Sequence, residues 1–263
     1  MTPLAIFVAV FCYSSAVGAN QDEDLAKQLA NPIAALISFP LQANYDDKIG
    51  INRDGSRFTL NVQPVVPITI NDEWNVISRT ILPITSQKDI APGSGKQSGI
   101  GDVVQSLFFS PKAPTDKGLV WGAGPVFLLP TGSDDLLSGR KWGLGPTIVL
   151  LKQDSGYTYG ALVNHIWSVA GEDNRADISA TYLQPFLSYT TKAAWTYGIS
   201  TESTYDWKAQ KWSVPVILNA SKLMRFGTQP VSIGGSLRYW ASSPDSAAHG
   251  WGLRLVMTYL FPK

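Results

Sequence analysis

The sequence predicts an all-β protein: an antiparallel transmembrane β-barrel of about twelve strands with a short N-terminal helical segment. Three observations carry this. Gly118 to Gln153 holds the motif Trp-Gly-x-Gly-Pro twice, at Trp121–Pro125 and Trp142–Pro146, around a polar loop from Thr131 to Arg140. Two apolar, β-prone runs around turn residues read as a hairpin, and its strands run in opposite directions. Each Trp begins its own strand, so the two should lie at opposite ends, at the two headgroup levels that flank hydrocarbon. The last strand alternates cleanly: Trp251, Leu253, Leu255, Met257, Tyr259 and Phe261 on one face, Gly252, Arg254, Val256, Thr258 and Leu260 on the other. Finally, short turns near 71–73, 152–156, 190–193 and 227–230 alternate with longer loops near 46–56, 85–98, 131–140, 169–177 and 241–250, as in an outer-membrane barrel with both termini in the periplasm.

The elements follow in order. Pro3 to Val17 is almost wholly apolar, and Val17-Gly18-Ala19 offers small residues for cleavage, so residues 1–19 read as a signal peptide and 20–263 as a single barrel domain. Cys12, the only cysteine, falls in that segment, which leaves the mature chain without thiol, disulfide or cysteine metal site. Leu25, Leu29, Ile33 and Leu36 recur at helical spacing until Pro32 breaks the pattern, giving a short periplasmic helix whose role as cap, plug or tether stays open.

Strands are expected near Ser38–Tyr45, Phe58–Ile70, Trp74–Ile84 and Ile100–Phe109, then the two strands of the hairpin. Tyr157–Ser168, Ile178–Tyr189, Ala194–Tyr205, a run from Trp212, a run from Val231, and Trp251–Phe261 follow. Phe58 to Ile70 is long for a globular strand and suits a tilted membrane strand, although Pro64 and Pro67 cannot donate to the ladder and imply a bulge.

Composition excludes some functions. Lys plus Arg is 21 and Asp plus Glu is 20, so a net charge of +1 gives no general attraction for nucleic acid. Mean hydropathy near zero argues against a helical membrane protein but not against a barrel, whose strands alternate. The expected surroundings are the lipid bilayer and lipopolysaccharide, the barrel-assembly machinery, and a small solute the sequence does not name.

The residues also resemble a known family, the MetA-pathway of phenol degradation family of outer-membrane, transporter-like proteins. The matching stretches are Asn31-Pro32 through Pro40-Leu41-Gln42, Ser98-Gly-Ile-Gly-Asp102 with Phe108-Phe-Ser-Pro111, both Trp-Gly-x-Gly-Pro repeats, Ala161 to Ser168, Leu183-Gln-Pro-Phe, Glu202 to Trp207, Arg238-Tyr-Trp240 and Gly250 to Arg254. The resemblance covers nearly the whole mature chain. It implies a barrel in the outer membrane with a part in the passage of small compounds, hydrophobic or aromatic ones among them. It implies no catalytic motif and no cofactor.

Ionised groups facing lipid near the midplane cost a few kcal/mol, so the lumen is expected to take Arg79, Asp102, Gln105, Glu202, Asn219, Arg238 and Arg254. Gly122, Gly124, Gly143 and Gly145 fall opposite the tryptophans of the hairpin and should form a bare lumen wall, the smoothest side of any passage. Trp121, Trp142, Trp195, Trp212, Trp251, Tyr259 and Phe261 are expected in the aromatic girdles. The interior of a barrel this size suits either a pore lining or a structural ion-pair network that fills it.

Asn164-His165 with Ser168 offers the residue types of a lipid hydrolase, but His165 and Ser168 are three apart on a strand and so point to opposite faces. Which of Asn164 and His165 faces lipid is undecided. Glu172, Asp173 and Asp177, with Asp134 and Asp135, lack the spacing of a calcium loop and read as solvated charge, so no metal site is expected. The competing functional readings are a channel, a structural or surface-binding barrel with an occluded lumen, and a membrane-embedded lipid hydrolase.

Overall fold

The computed structural model describes residues 20–262, and the expected signal peptide with Cys12 lies outside them. Twelve antiparallel strands close on themselves. They are β1 (Ile37–Ile49), β2 (Gly55–Val62 continuing as Val65–Thr69), β3 (Trp74–Lys88), β4 (Lys96–Ile100 continuing as Val103–Pro111), β5 (Leu119–Leu129) and β6 (Lys141–Asp154). Then come β7 (Tyr157–Gly171), β8 (Ser179–Thr190), β9 (Trp195–Thr201 continuing as Ser203–Asp206), β10 (Lys211–Phe226), β11 (Gln229–Ser242) and β12 (Gly250–Phe261). Each strand pairs with its sequence neighbour, and β1 pairs with β12 from Ile37↔Phe261 to Asp46↔Gly252. Closure leaves no free edge, the condition for strands to cross hydrocarbon.

The outward face is apolar and aromatic. On β12, Trp251, Leu253 and Leu255 are exposed while Gly252, Arg254 and Thr258 are buried. Trp121 sits on the outward face at the end of the barrel that holds the chain termini, edge-to-face against Trp74 at 5.8 Å. Trp142 sits beside loop 130–140 at the other end, half exposed. Trp195, Tyr259 and Phe261 belong to the first end and Trp212 and Trp251 to the second, so the aromatic residues form two belts. A charge on the outward face between these belts meets lipid. Leu255→Arg is expected to destabilise the barrel in phospholipid vesicles by about 2–4 kcal/mol, measured as a fall in the urea midpoint, while Val256→Arg, facing inward, shifts it far less.

Strands β2, β4 and β9 are interrupted, the last at Glu202. In β2, Gln63 and Pro64 break the ladder where proline supplies no N–H, yet Gln63 N still donates to Pro40 O and Pro64 O accepts from Thr80 N. In β4 the pairs Ile84↔Ile100 and Ile81↔Val104 leave one extra residue on β4, a bulge at Gly101–Asp102. In the hairpin, Pro125 and Pro146 face each other, so their missing donors coincide.

Two loops are shorter than the sequence suggests. Strand β1 runs on to Ile49 and β3 to Lys88, while β2 begins at Gly55 and β4 at Lys96. Strand pairing continues into these stretches, past a bulge at Asp47–Lys48 where Lys48 takes a positive φ, and the charged run Asp46-Asp47-Lys48 reads as loop in the sequence.

Helix α1 spans residues 20–29. Asp22, Glu23 and Asp24 lie in its first turn, where the helix dipole favours them. Pro32 follows, and Asn31 Oδ1 accepts from Ile33 N in the turn. The helix packs on one end of the barrel: Leu25, Ala26 and Leu36 are buried against Ala194, Leu223 and Leu260. Ile33 enters the interior among Ile77, Phe108, Val149, Leu151 and Leu162. An ion pair of Asp22 with Arg225 (2.7 Å) and a hydrogen bond from Gln153 Nε2 to Lys27 O (2.8 Å) fasten it. Of the three roles open from sequence, plug is the one its burial describes.

Candidate functional site

The interior alternates with the outward face and carries a dense set of polar residues. A cavity of ≈ 630 Å³ is lined by Arg79, Glu202, Asn219 and Arg254, by the amides Gln42, Asn61, Gln63, Asn164 and Gln184, by Tyr182, and by hydroxyls including Ser106, Ser200 and Ser221. Leu162, Ile166, Ile217 and Val256 supply apolar patches. A second cavity of ≈ 320 Å³ lies between this space and the plug, walled by Leu29, Asn31, Pro32 and Ala34 on the plug side. Arg79, Gln63, Gln184, Ser200 and Asn219 border both cavities, so the two are contiguous and Leu29 reaches the boundary.

One wall is an ion-pair network. Arg254 Nη1 and Nη2 donate to the two carboxylate oxygens of Glu202 at 2.7 Å, a fork-to-fork geometry, and Arg254 Nε donates to Asn44 Oδ1 at 2.6 Å. Arg238 lies deeper in the wall, giving one hydrogen bond to Asp46 Oδ2 at 3.0 Å and a longer one to Asn44 Oδ1, with its guanidinium over the Trp240 ring. Trp240 Nε1 donates to the other oxygen of Asp46. The network ties β1 to β9, β11 and β12 and leaves its arginines no freedom to sweep the lumen.

The placement of the expected lumen residues is mixed. Arg79, Glu202, Asn219 and Arg254 border the cavity, and Arg238 faces inward behind it. Gln105 does not face inward. Its register partner is Thr80, whereas the adjacent pair Arg79↔Ser106 lines the cavity, and its amide bonds outward-facing Thr80 and Ser78 at 2.5 and 3.0 Å. The bulge at Gly101–Asp102 is the reason, because one extra residue inverts the inside–outside alternation after it. Asp102 is not a pore group either. It accepts from Gly132 N (3.0 Å) and Gly139 N (2.7 Å) and so holds both ends of loop 131–140.

The four hairpin glycines face inward but none borders either cavity. A Cβ at Gly122 would meet Phe108 and Ile33, and one at Gly143 would meet Ile166 and Leu128. At Gly124 and Gly145 it would fall 2.0 Å from Leu107 O and 1.6 Å from His165 O. The missing side chains therefore permit close strand approach and packing of large neighbours, and the expected smooth wall is filled.

Asn164 lines the cavity and His165 faces outward, which settles the facing of β7. Ser168 is engaged with Asp177, on the other side of the sheet from the His165 ring. His165 Nδ1 lies 2.7 Å from Thr181 Oγ1 and Nε2 lies 3.4 Å from Ser179 Oγ, while Trp207 Nε1 donates to the same Thr181 oxygen. With the ring packed 4.1 Å from Trp167 and both ring nitrogens on hydroxyls, this is a hydrogen-bonded aromatic cluster at the belt. In the loops, Asp135 pairs with Arg140 and Asp177 with Lys141. Hydrogen bonds from Lys141 and Ser168 hold the Asp177 carboxyl below its ordinary range. Among the described residues no three metal-binding side chains converge.

Sequence reasoning missed Asp46, Asn44, Arg57, Tyr182 and the glutamines at 42, 63 and 184. Asp46 falls in the expected loop 46–56, and Arg57 lies between that loop and the strand expected from Phe58. Gln42, Gln63 and Gln184 alternate with apolar residues and could have been found by carrying the inward face of each strand through to its neighbours.

The class defined by this architecture is the closed twelve-stranded antiparallel barrel of outer-membrane type, polar within and belted without. An outer membrane channel from Pseudomonas putida F1 has a similar solved structure: TM-score 0.69 at 11% identity, covering 86% of this chain and 96% of that one. The NanC porin matches with TM-score 0.53 at 9% identity, over 86% of this chain and all of that one. At these identities the likeness is one of fold. No protein-family description matches the sequence, and no curated relative does.

Proposed function

We propose that the protein is an outer-membrane channel for passive passage of small solutes, closed at rest on its periplasmic side by residues 20–36. The observation that carries this is the polar-and-apolar cavity inside the barrel, contiguous with a second one that α1 and the turn after it wall off. Membership of the MetA-pathway of phenol degradation family, suggested by sequence stretches spread over the whole mature chain, is part of the proposal and agrees with the fold of the Pseudomonas putida channel. The plug is held mainly by apolar burial of Leu25, Ala26, Ile33 and Leu36, with one ion pair at its edge. That hold is modest beside the closed strand ladder, so the segment can leave while the barrel stays folded. This favours a gated passage over a permanently filled structural barrel.

Proteoliposomes test the reading. Vesicles carrying a variant without residues 20–36 are expected to swell in isosmotic glycerol or xylose several times faster than vesicles carrying the whole chain, with the variant's heat-modifiable migration confirming that it is folded. A folded deletion variant that admits neither solute would sink the proposal.

A further inference from the structure

The interior charges do not balance. Between the two rims of the barrel, the inward-facing strand residues include four arginines, Arg57, Arg79, Arg238 and Arg254, against two carboxylates, Asp46 and Glu202. Arg254 is paired with Glu202 and Arg238 with Asp46. Arg57, the register partner of Asp46, shares its neighbourhood and donates to Gln87 Oε1 at 2.8 Å. Arg57 forms no ion pair among the described residues but has Asp46 opposite it in register, whereas Arg79 stands opposite Val65 and Ser106. Among the described residues no carboxylate forms an ion pair with it, and its one hydrogen bond runs from Nη2 to the neutral Gln63 Oε1 at 3.3 Å. It stands on β3 where the two cavities meet, just above the plug.

A guanidinium has five N–H donors in a fixed fork and stays charged at any physiological pH. In a partly apolar space with one donor used, its remaining N–H groups are available to an anion. The surroundings fit a carboxylate. Gln184 and Asn219 offer amide donors and Ser200 and Ser221 offer hydroxyls at the same level, and no acidic side chain competes there because Glu202 is spent on Nη1 and Nη2 of Arg254. The excess of one local charge suits a monoanion. Ile81, Val104, Leu162 and Ile166 line the same cavity and give an apolar body somewhere to lie. The volume of ≈ 630 Å³ falls within the range of about 300–1,000 Å³ usual for small-molecule sites.

We infer that the lumen binds a small organic monocarboxylate, with its carboxylate on Arg79 and its apolar body against the Ile81–Val104–Leu162–Ile166 side of the cavity. This rests on the channel reading and names the solute class. The path is consistent with it: Arg57, near the outer end of β2, would meet an entering anion before Arg79 does.

The test uses the whole chain in detergent micelles and equilibrium dialysis of radiolabelled hexanoate, with protein-free micelles as the blank. Hexanoate is expected to bind the parent, with its neutral isostere hexanamide at least tenfold weaker. Arg79→Gln is expected to lose at least tenfold in hexanoate affinity, as befits a charge-assisted pair. Arg79→Lys is expected to recover part of it. Arg238→Gln cannot serve as the control because it breaks the wall network; Lys117→Gln, in the turn outside the barrel, should leave affinity unchanged. Equal affinity for hexanoate and hexanamide, unaltered binding in a folded Arg79→Gln protein, or no hexanoate binding to the parent would overturn the inference. The swelling assay with neutral solutes separates this from the channel reading, since flux of glycerol through the plug-deleted barrel does not depend on Arg79.

Discussion

Glu202→Ala is expected to destabilise the barrel by about 3 kcal/mol, the low end of the cost of stranding one member of a buried ion pair. The arginine left behind, Arg254, is nearly fully buried, and its remaining partner is the single oxygen of Asn44. Glu202 itself keeps some contact with the cavity, and water there softens the loss. The measurement is the urea midpoint in vesicles or micelles. The double change Glu202→Leu with Arg254→Met should recover most of the lost stability, because it removes both charges and their desolvation together. A Glu202→Ala protein as stable as the parent would mean that the network is solvated and not a wall.

The second large effect is expected from Gly145→Ala. A methyl group there would fall 1.6 Å from His165 O, a backbone atom that no rotamer change can move. Strands β6 and β7 would have to separate over several residues, so the variant should fail to give the folded, heat-modifiable form. Gly235→Ala is the matched control: its nearest contacts, Leu255 Cδ2 at 3.7 Å and Arg254 O at 3.8 Å, are ordinary, so folding should be unaffected. Normal folding of both variants would remove the close-approach account of the hairpin glycines.

That account also marks where the sequence could be read and where it could not. Twelve strands, their closure and the two aromatic belts followed from alternation and from the positions of Trp121 and Trp142, because a membrane imposes one periodicity on every strand. The inner face was legible only where alternation is regular. On β12 it assigned Arg254 correctly from Trp251 onward. On β4 a single extra residue at Gly101–Asp102 turned Gln105 outward, and no pattern in the residues announces that shift. The glycines of the hairpin were seen to face inward. Their consequence was not visible, since bareness in a sequence becomes close packing in a fold once Ile33, Phe108 and Ile166 have somewhere to go. The plug is a similar case. The helical spacing of Leu25, Leu29, Ile33 and Leu36 shows an apolar face, but only the barrel end formed by Ala194, Leu223 and Leu260 shows what that face is for.

The most direct measurement is single-channel current in planar bilayers, whole chain against the variant lacking residues 20–36. A lumen closed by that segment predicts rare, brief openings for the whole chain and sustained openings of larger conductance for the variant. Equal, sustained conductance in both would contradict it, because the segment would then close nothing.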